Sequence, residues 1–274
     1  MRNELCEATA KKAAAFLSKK LKIQKGKLVG IILGTGWGGQ LHIENAKSIP
    51  FDLVPGFTKL AVLEGHNRRF VYGTVSGKSV IALQGRIHLN EDPSNPNLCK
   101  LVRLQTEILM QLGVKRLVTT CAAGALIDVG IKVGDLVVIN GFMTLFAPPM
   151  PLFAGEFVSP EDALSKELIR IASLKNKRHY GGNIRTGGYA MLLGPYFEGR
   201  IYDKMALTRT GASLVGMSTL PEVCIAALYN VEVLALAFIT NSASEVHSHG
   251  TNMKKAAQFS SKLGTYLSSV IKDI

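Results

Sequence analysis

Leu28-Val29-Gly30-Ile31-Ile32-Leu33-Gly34-Thr35-Gly36-Trp37-Gly38-Gly39 is the stretch from which the fold can be read. Its first six residues form an unbroken apolar run. A strand wetted on one side would alternate; an unbroken run belongs to a strand covered on both faces, as in a mostly parallel sheet between helices. The run ends in a glycine-rich turn, where small residues let backbone N–H groups approach the oxygens of a phosphate. Gly34, Gly36 and Gly39 also fit G-x-G-x-x-G. A dinucleotide unit would need a helix and a second strand directly afterwards, and Pro50 and Pro55 break the region where that crossover should lie.

Outward from this stretch the same arrangement recurs. A strand at Phe70–Thr74 turns at Gly77-Lys78 into Ser79–Leu83, which runs into Gln84-Gly85-Arg86-Ile87-His88. In an extended segment Arg86 and His88 point to one side, a pair suited to an oxyanion. A helix over Cys99–Leu112, stopped by Gly113, leads to a strand at Arg116–Thr120 and a turn of small residues, Cys121–Ala125. Strands follow at Gly134–Ile139, Tyr189–Leu193 and Val231–Ile239, with helices at Ser165–Leu174, Gly199–Thr210, from Leu220, and at Asn252–Val270. The Lys-rich N-terminus, Met1–Lys22, has the apolar spacing of an amphipathic surface helix. Within Val215–Glu222, Thr219 and Glu222 have the spacing of a capping box, and Pro221 suits a first helical turn. Ser218 then stands at a helix N-terminus, a favourable place for an anion.

Strands alternating with helices predict an α/β fold: a single domain over residues 1–274, with a mostly parallel mixed central sheet flanked by helices. The polar candidates sit in turns after strands, and in parallel sheets those carboxyl ends share one rim where ligands bind. With 47% hydrophobic and 19% charged residues, the 274-residue chain can build a sizeable core. No apolar run reaches membrane-spanning length and no signal-type core is present, so no membrane partner is expected, and a cytoplasmic setting is the expectation that goes with reduced cysteines. Four cysteines without metal-ligand spacing fit reduced thiols and no metal site. The formal charge of +12 raises nucleic acid as a partner, but the basic residues are scattered and aromatics make up only 7%, so none is expected. The loop Phe142–Pro160 is too apolar for water and is expected to pack on another subunit.

Eight segments, in order, resemble the trimeric purine nucleoside phosphorylases along nearly the whole chain: Gly34–Gly39, Gly65-His66, Gln84–His88, Ala122–Gly124, Val133–Asp135, Gly194–Glu198, Val215–Glu222 and Ile239–Asn241. The resemblance implies reversible phosphorolysis of purine ribonucleosides, inosine and guanosine above all, to free base and ribose 1-phosphate. Inorganic phosphate would be the co-substrate and no cofactor would be needed. It implies that phosphate is held by Thr35, Arg86, His88, the backbone at Ala122, and Ser218, with His66 on a gating loop. Ribose would meet Tyr189, Met217 and His249. The base would lie against Ala122, Ala123 and Phe197, with Glu198 and Asn241 bonding its edge. His88, Asn241 and Glu198 would carry catalysis, and Phe153 matches an aromatic lent to a neighbouring subunit of a homotrimer.

The chain departs from the family pattern at several places. Thr35 stands for a common Ser, Asn90 for a Tyr, Tyr196 for a small residue and Ser242 for a Lys, while Cys121 and Ala125 alter the Asn-Ala-Ala-Gly-Gly segment. The loop after Asn241 is short, which leaves His247 beside His249 as a candidate at the ribose. A methylthioadenosine phosphorylase would carry an aspartate at Asn241, because a 6-amino purine needs a different hydrogen-bond partner. A nicotinamide-dependent oxidoreductase and a basic nucleic-acid-binding module are the readings from other classes.

Overall fold

In a computed structural model describing residues 4–24, 26–37, 41–57, 67–92, 94–127, 130–153, 155–175, 180–194, 196–199, 201–242 and 248–274, the apolar run becomes strand β1 (Val29–Leu33). Its composition follows from its two faces. Ile32 enters a core layer with Ala13 and Leu17 of helix α1 (Glu4–Leu21) and Ile108 of helix α2 (Leu98–Gln111). Val29, Ile31 and Leu33 enter the opposite layer. Each side chain so buried contributes about 1.5–3 kcal/mol, and polar residues have no place on either side.

The remaining elements are β2 (Glu44–Pro50), β3 (Arg69–Val75), β4 (Lys78–Gln84), β5 (Arg116–Ala125), β6 (Leu136–Met143), α3 (Lys166–Leu174), β7 (Ile184–Met191), α4 (Tyr202–Arg209), β8 (Leu214–Gly216), α5 (Leu220–Leu228), β9 (Glu232–Asn241) and α6 (His249–Asp273). One nine-stranded sheet runs β2-β3-β4-β1-β5-β8-β7-β6-β9, and β9 also pairs with β5. That last pairing closes β5, β8, β7, β6 and β9 into a five-stranded ring, from which β1–β4 extend as an open wing. Helices α1, α2 and α5 cover one face, while α3 and α6 cover the other.

The α/β architecture and mixed sheet match expectation, with parallel pairings only just in the majority: five are parallel and four antiparallel among the described residues. The mutually parallel β1, β4, β5 and β9 end on a common rim. Strand β7 does not share their direction. It is parallel to β8, which is antiparallel to β5, and it reaches the rim from the other side by pairing Met191 with Gly216. After β1 the next described element is β2, at the far edge of the wing and antiparallel to β3. The crossover helix of a dinucleotide unit is therefore absent among the described residues.

Some local expectations are corrected. Cys121–Ala125 is not a turn: β5 continues through it, because β9 pairs alongside Cys121, Ala122 and Ala123 and β8 alongside Gly124 and Ala125. The β3–β4 turn centres on Ser76 and Gly77, both at positive φ, one residue earlier than expected. The long loop after β6 does carry exposed apolar side chains, Leu145, Phe146 and Phe157. Its far end is clipped to α2 by the fully buried Arg103, which bonds Glu107 of its own helix and Glu156 of the loop in two-pronged fashion. No described helix is long and apolar enough to cross a membrane.

Candidate active site

Where β1, β5, β8 and β9 end, their last residues and the following turns surround a cavity of about 440 Å³. Thr35, His88, Ala122, Ala123, Phe197, Glu198, Met217, Ser218 and Asn241, nine of the residues singled out from sequence, line it, and so do Asn90, Glu91, Thr240 and Asn252.

The corner expected to take an anion forms around Arg86, which is only 1% exposed and does not itself line the cavity. Nε donates to His88 Nε2 at 3.3 Å; one terminal nitrogen donates to Thr119 Oγ1 and Glu222 Oε1 at 3.3 and 3.0 Å, and the other to the Thr120 carbonyl and Ser218 Oγ at 3.0 and 2.9 Å. All five guanidinium N–H groups are thus engaged within the protein. The cavity meets this cation through a layer formed by Ser218 and His88. No Lys or Arg lines the cavity among the described residues, so the chain's surplus positive charge is not displayed in it.

His88 shows how that layer is ordered. Its Nε2 accepts from Arg86, so the ring proton is on Nδ1, which faces Glu91 Oε1 at 2.9 Å. The same carboxylate accepts from the His88 backbone N–H at 2.8 Å and is ion-paired with Arg68. Gly34 permits the crowding, since a Cβ there would lie 2.4 Å from the Thr120 carbonyl oxygen and 3.0 Å from an Arg86 nitrogen.

The expected capping box at Thr219 and Glu222 does not form. Thr219 makes no side-chain cap bond and holds φ 75° and ψ −47°, while the Leu220 N–H bonds the Ser218 carbonyl at 2.9 Å. This is a γ-turn of positive φ, a strained conformation for a β-branched residue, costing of order 1–3 kcal/mol. The sharp reversal lets α5 start at Leu220, with Pro221 in its first turn as expected, while Ser218 faces Arg86. Glu222, freed from capping, becomes Arg86's carboxylate partner.

Asn241 also lines the cavity, and its side chain is buried. Its Oδ1 accepts from Thr240 Oγ1 at 3.1 Å, and its Nδ2 has no partner among the described residues. With the oxygen committed, a buried amide N–H without a partner among the described residues is left on a residue that lines the cavity. Gly124 is required beside it, because a Cβ there would come within 2.7 Å of that nitrogen. Glu198, also buried, is ion-paired 3.4 Å from the fully buried Lys204. Phe197 is 41% exposed at the mouth. Asn90 Nδ2 lies 3.5 Å from the Met217 sulfur.

Other candidates lie elsewhere. Tyr189 is wholly buried behind the wall, its hydroxyl accepting from the Ser218 N–H at 3.3 Å and its ring edge-on to Phe142. Phe153 is away from this cavity, its ring over Arg103 at 5.3 Å. His66, His247 and the His249 side chain lie outside the described residues. Burial pushes the Cys121 thiol up in pKa, so it stays protonated at neutral pH and is not a nucleophile. Among the described residues no group of three or more His, Cys, Asp or Glu could hold a metal ion.

Sequence reasoning missed Glu91 and Glu222. Glu91 carried a weak signal in its place three residues after His88; Glu222 had been given to the cap.

The chain is similar to known proteins both in sequence and in structure. The model of the phosphorylase superfamily matches residues 28–272. Purine nucleoside phosphorylase 1 of Bacillus subtilis is 30% identical over 270 residues, covering 96% of each chain. The mouse (Mus musculus) purine nucleoside phosphorylase is 33% identical over 224 residues, covering 78% of this chain and 75% of its own. Among solved structures, Schistosoma mansoni purine nucleoside phosphorylase in complex with inosine superposes with a TM-score of 0.81 at 27% identity, covering 97% of this chain and 96% of that one. Isoform 2 from the same organism, in complex with cytosine and ribose-1-phosphate, gives 0.83 at 28%, with the same coverage.

Proposed function

The chain belongs to the phosphorylase superfamily, among its purine nucleoside phosphorylases, and from that premise we propose how its cleft performs the reversible phosphorolysis of purine ribonucleosides to free base and ribose 1-phosphate. The observation that carries the residue assignment is that one cavity is lined both by His88 and Ser218, which bond Arg86, and by Asn241, whose amide nitrogen has no partner among the described residues.

Phosphate sits against Thr35, His88, Ser218 and the Ala122 backbone. Arg86 reaches it by exchanging its bonds to Ser218 Oγ and His88 Nε2 for phosphate oxygens, a trade of neutral acceptors for a charged one. Ribose lies over Met217 and the base between Ala123 and Phe197. As the glycosidic bond lengthens, positive charge grows on the sugar, where the phosphate dianion stabilises it and attacks the anomeric carbon. The bonding pair passes into the purine, and Asn241 donates to the ring nitrogen where that charge collects. Glu198, a pure acceptor when ionised, takes hydrogen bonds from the N–H edge of a 6-oxopurine, which favours inosine and guanosine over adenosine. Tyr189 acts through the Ser218 backbone. By resemblance, the role at the phosphate end belongs to His66 and the contact to the sugar's 5′-hydroxyl to His249 or His247. Phosphate is the co-substrate, with neither metal nor organic cofactor required.

The exposed Leu145, Phe146 and Phe157 support contact between copies of the chain, and the resemblance makes that assembly a homotrimer in which Phe153 enters a neighbour's site, with sedimentation velocity as the check. Four free cysteines support a cytoplasmic setting. The test of function is a parallel assay of inosine, guanosine, xanthosine and adenosine with and without phosphate. Phosphate-dependent release of base from inosine or guanosine is expected. Cleavage indifferent to phosphate, or a preference for adenosine, would sink the reading.

A further inference from the structure

Gln105 is a fully buried amide on the sheet-facing side of α2, and the chemistry described so far makes no use of it. Its Oε1 accepts from the Ile87 N–H at 2.8 Å, and its Nε2 donates to the Ile87 carbonyl at 2.9 Å. The chain has left β4 at Gln84 by this point and belongs to no strand. One side chain therefore supplies the donor and acceptor that a neighbouring strand would have supplied. Ile87 is buried in the core, and it stands between Arg86 and His88. Its N–H belongs to the peptide plane shared with Arg86, and its carbonyl to the plane shared with His88. Both planes that set the direction of the anion-facing side chains are thus held by one residue from another element.

We propose that Gln105 is a positioning residue for phosphate: by pinning these two planes it sets how far Arg86 and His88 project toward the cavity. The inference rests on the assignment of phosphate to that corner. Without Gln105 the segment would have a buried N–H and a buried carbonyl to satisfy, and would shift to satisfy them. Displacements near 1 Å at a reacting group can cost about a hundredfold in rate.

The test compares Gln105→Met, which keeps length without hydrogen bonding, with Gln105→Glu, which keeps the acceptor for the Ile87 N–H. Phosphate and inosine KM are measured for the full chain, and inorganic phosphate binding is measured by calorimetry, which needs no turnover. Gln105→Met should raise phosphate KM and Kd about tenfold or more, with inosine KM within about twofold; Gln105→Glu should fall between it and the wild type. Parallel shifts in both KM values, an unchanged phosphate Kd in a folded variant, or failure of both variants to fold would overturn the proposal. A wild type that binds phosphate yet leaves inosine intact would instead refute the phosphorolysis reading, with the effect on phosphate Kd still measurable.

Discussion

Arg86 and Arg103 are both closed off from solvent, both engage all five of their N–H groups, and both pair with glutamate. They differ in what else they hold. Arg103 is gripped by two carboxylates, Glu107 and Glu156, each through both oxygens, and also donates to the Pro151 carbonyl. Burial alone would lower its pKa, and the hydrogen bonds to Glu156 and Glu107 more than reverse that. Arg86 has one carboxylate, Glu222, and spends its other bonds on neutral acceptors. The first cation already has its anions and serves as a clip between α2 and the loop bearing Phe153. The second has room for one more anion and stands one side chain away from a cavity. A buried arginine is thus structural or functional according to how far its charge has been answered.

The contrast is open to direct attack. Arg103→Met should do most damage to folding: two buried carboxylates lose their partner, at a cost of about 3–5 kcal/mol in urea denaturation. Phosphate KM of the protein that remains folded should be unchanged. Arg86→Ala should invert the pattern. Water from the cavity can enter beside Glu222, so the stability loss should be smaller than for Arg103→Met, while kcat/KM for phosphate falls about 10²–10³-fold. Equal losses of stability in the two variants would erase the distinction drawn here. Asn241→Asp probes the proposed base contact, where an acceptor replaces the amide N–H, and should move the inosine-to-adenosine ratio about tenfold toward adenosine. Unchanged selectivity would count against a base contact. The smallest effect is expected at Thr219, where Gly should be more stable than Ala by about 1 kcal/mol, since positive φ penalises any Cβ. The reverse order would mean that the γ-turn carries no strain.

The physical origin of each signal explains what could be read beforehand. β1, β4 and β9 announce themselves because burial on two faces leaves no room for polar residues, and the helix ends at Gly113 and Gly211 because glycine accepts positive φ there. β2 gives no pattern, being an edge strand whose first five residues are exposed. β8 is three residues long and exists only because β5 and β7 lie on either side. Convergence of Thr35, His88 and Ser218 was legible through their common place after strands. Arg86's withdrawal behind Ser218 was not, because it depends on Glu222, 136 residues away. Local spacing made Thr219 and Glu222 a cap; a distant cation claimed the glutamate instead. Gln105 and Arg103, polar residues within an apolar helix face, carried no sign of which backbone or carboxylate they would meet.

The closed ring has a consequence for how copies of the chain can meet. Because β9 returns to β5, that half of the sheet presents no unpaired strand among the described residues, and β2 is the remaining margin. That margin is obstructed by Glu44 and Lys47, by a register shift between them and by Pro50. Among the described residues, growth by splicing a foreign strand onto the sheet therefore has one doorway, and it is barred. Assembly through side chains on loops and helices can form a closed, countable oligomer where an open backbone edge would invite a fibre.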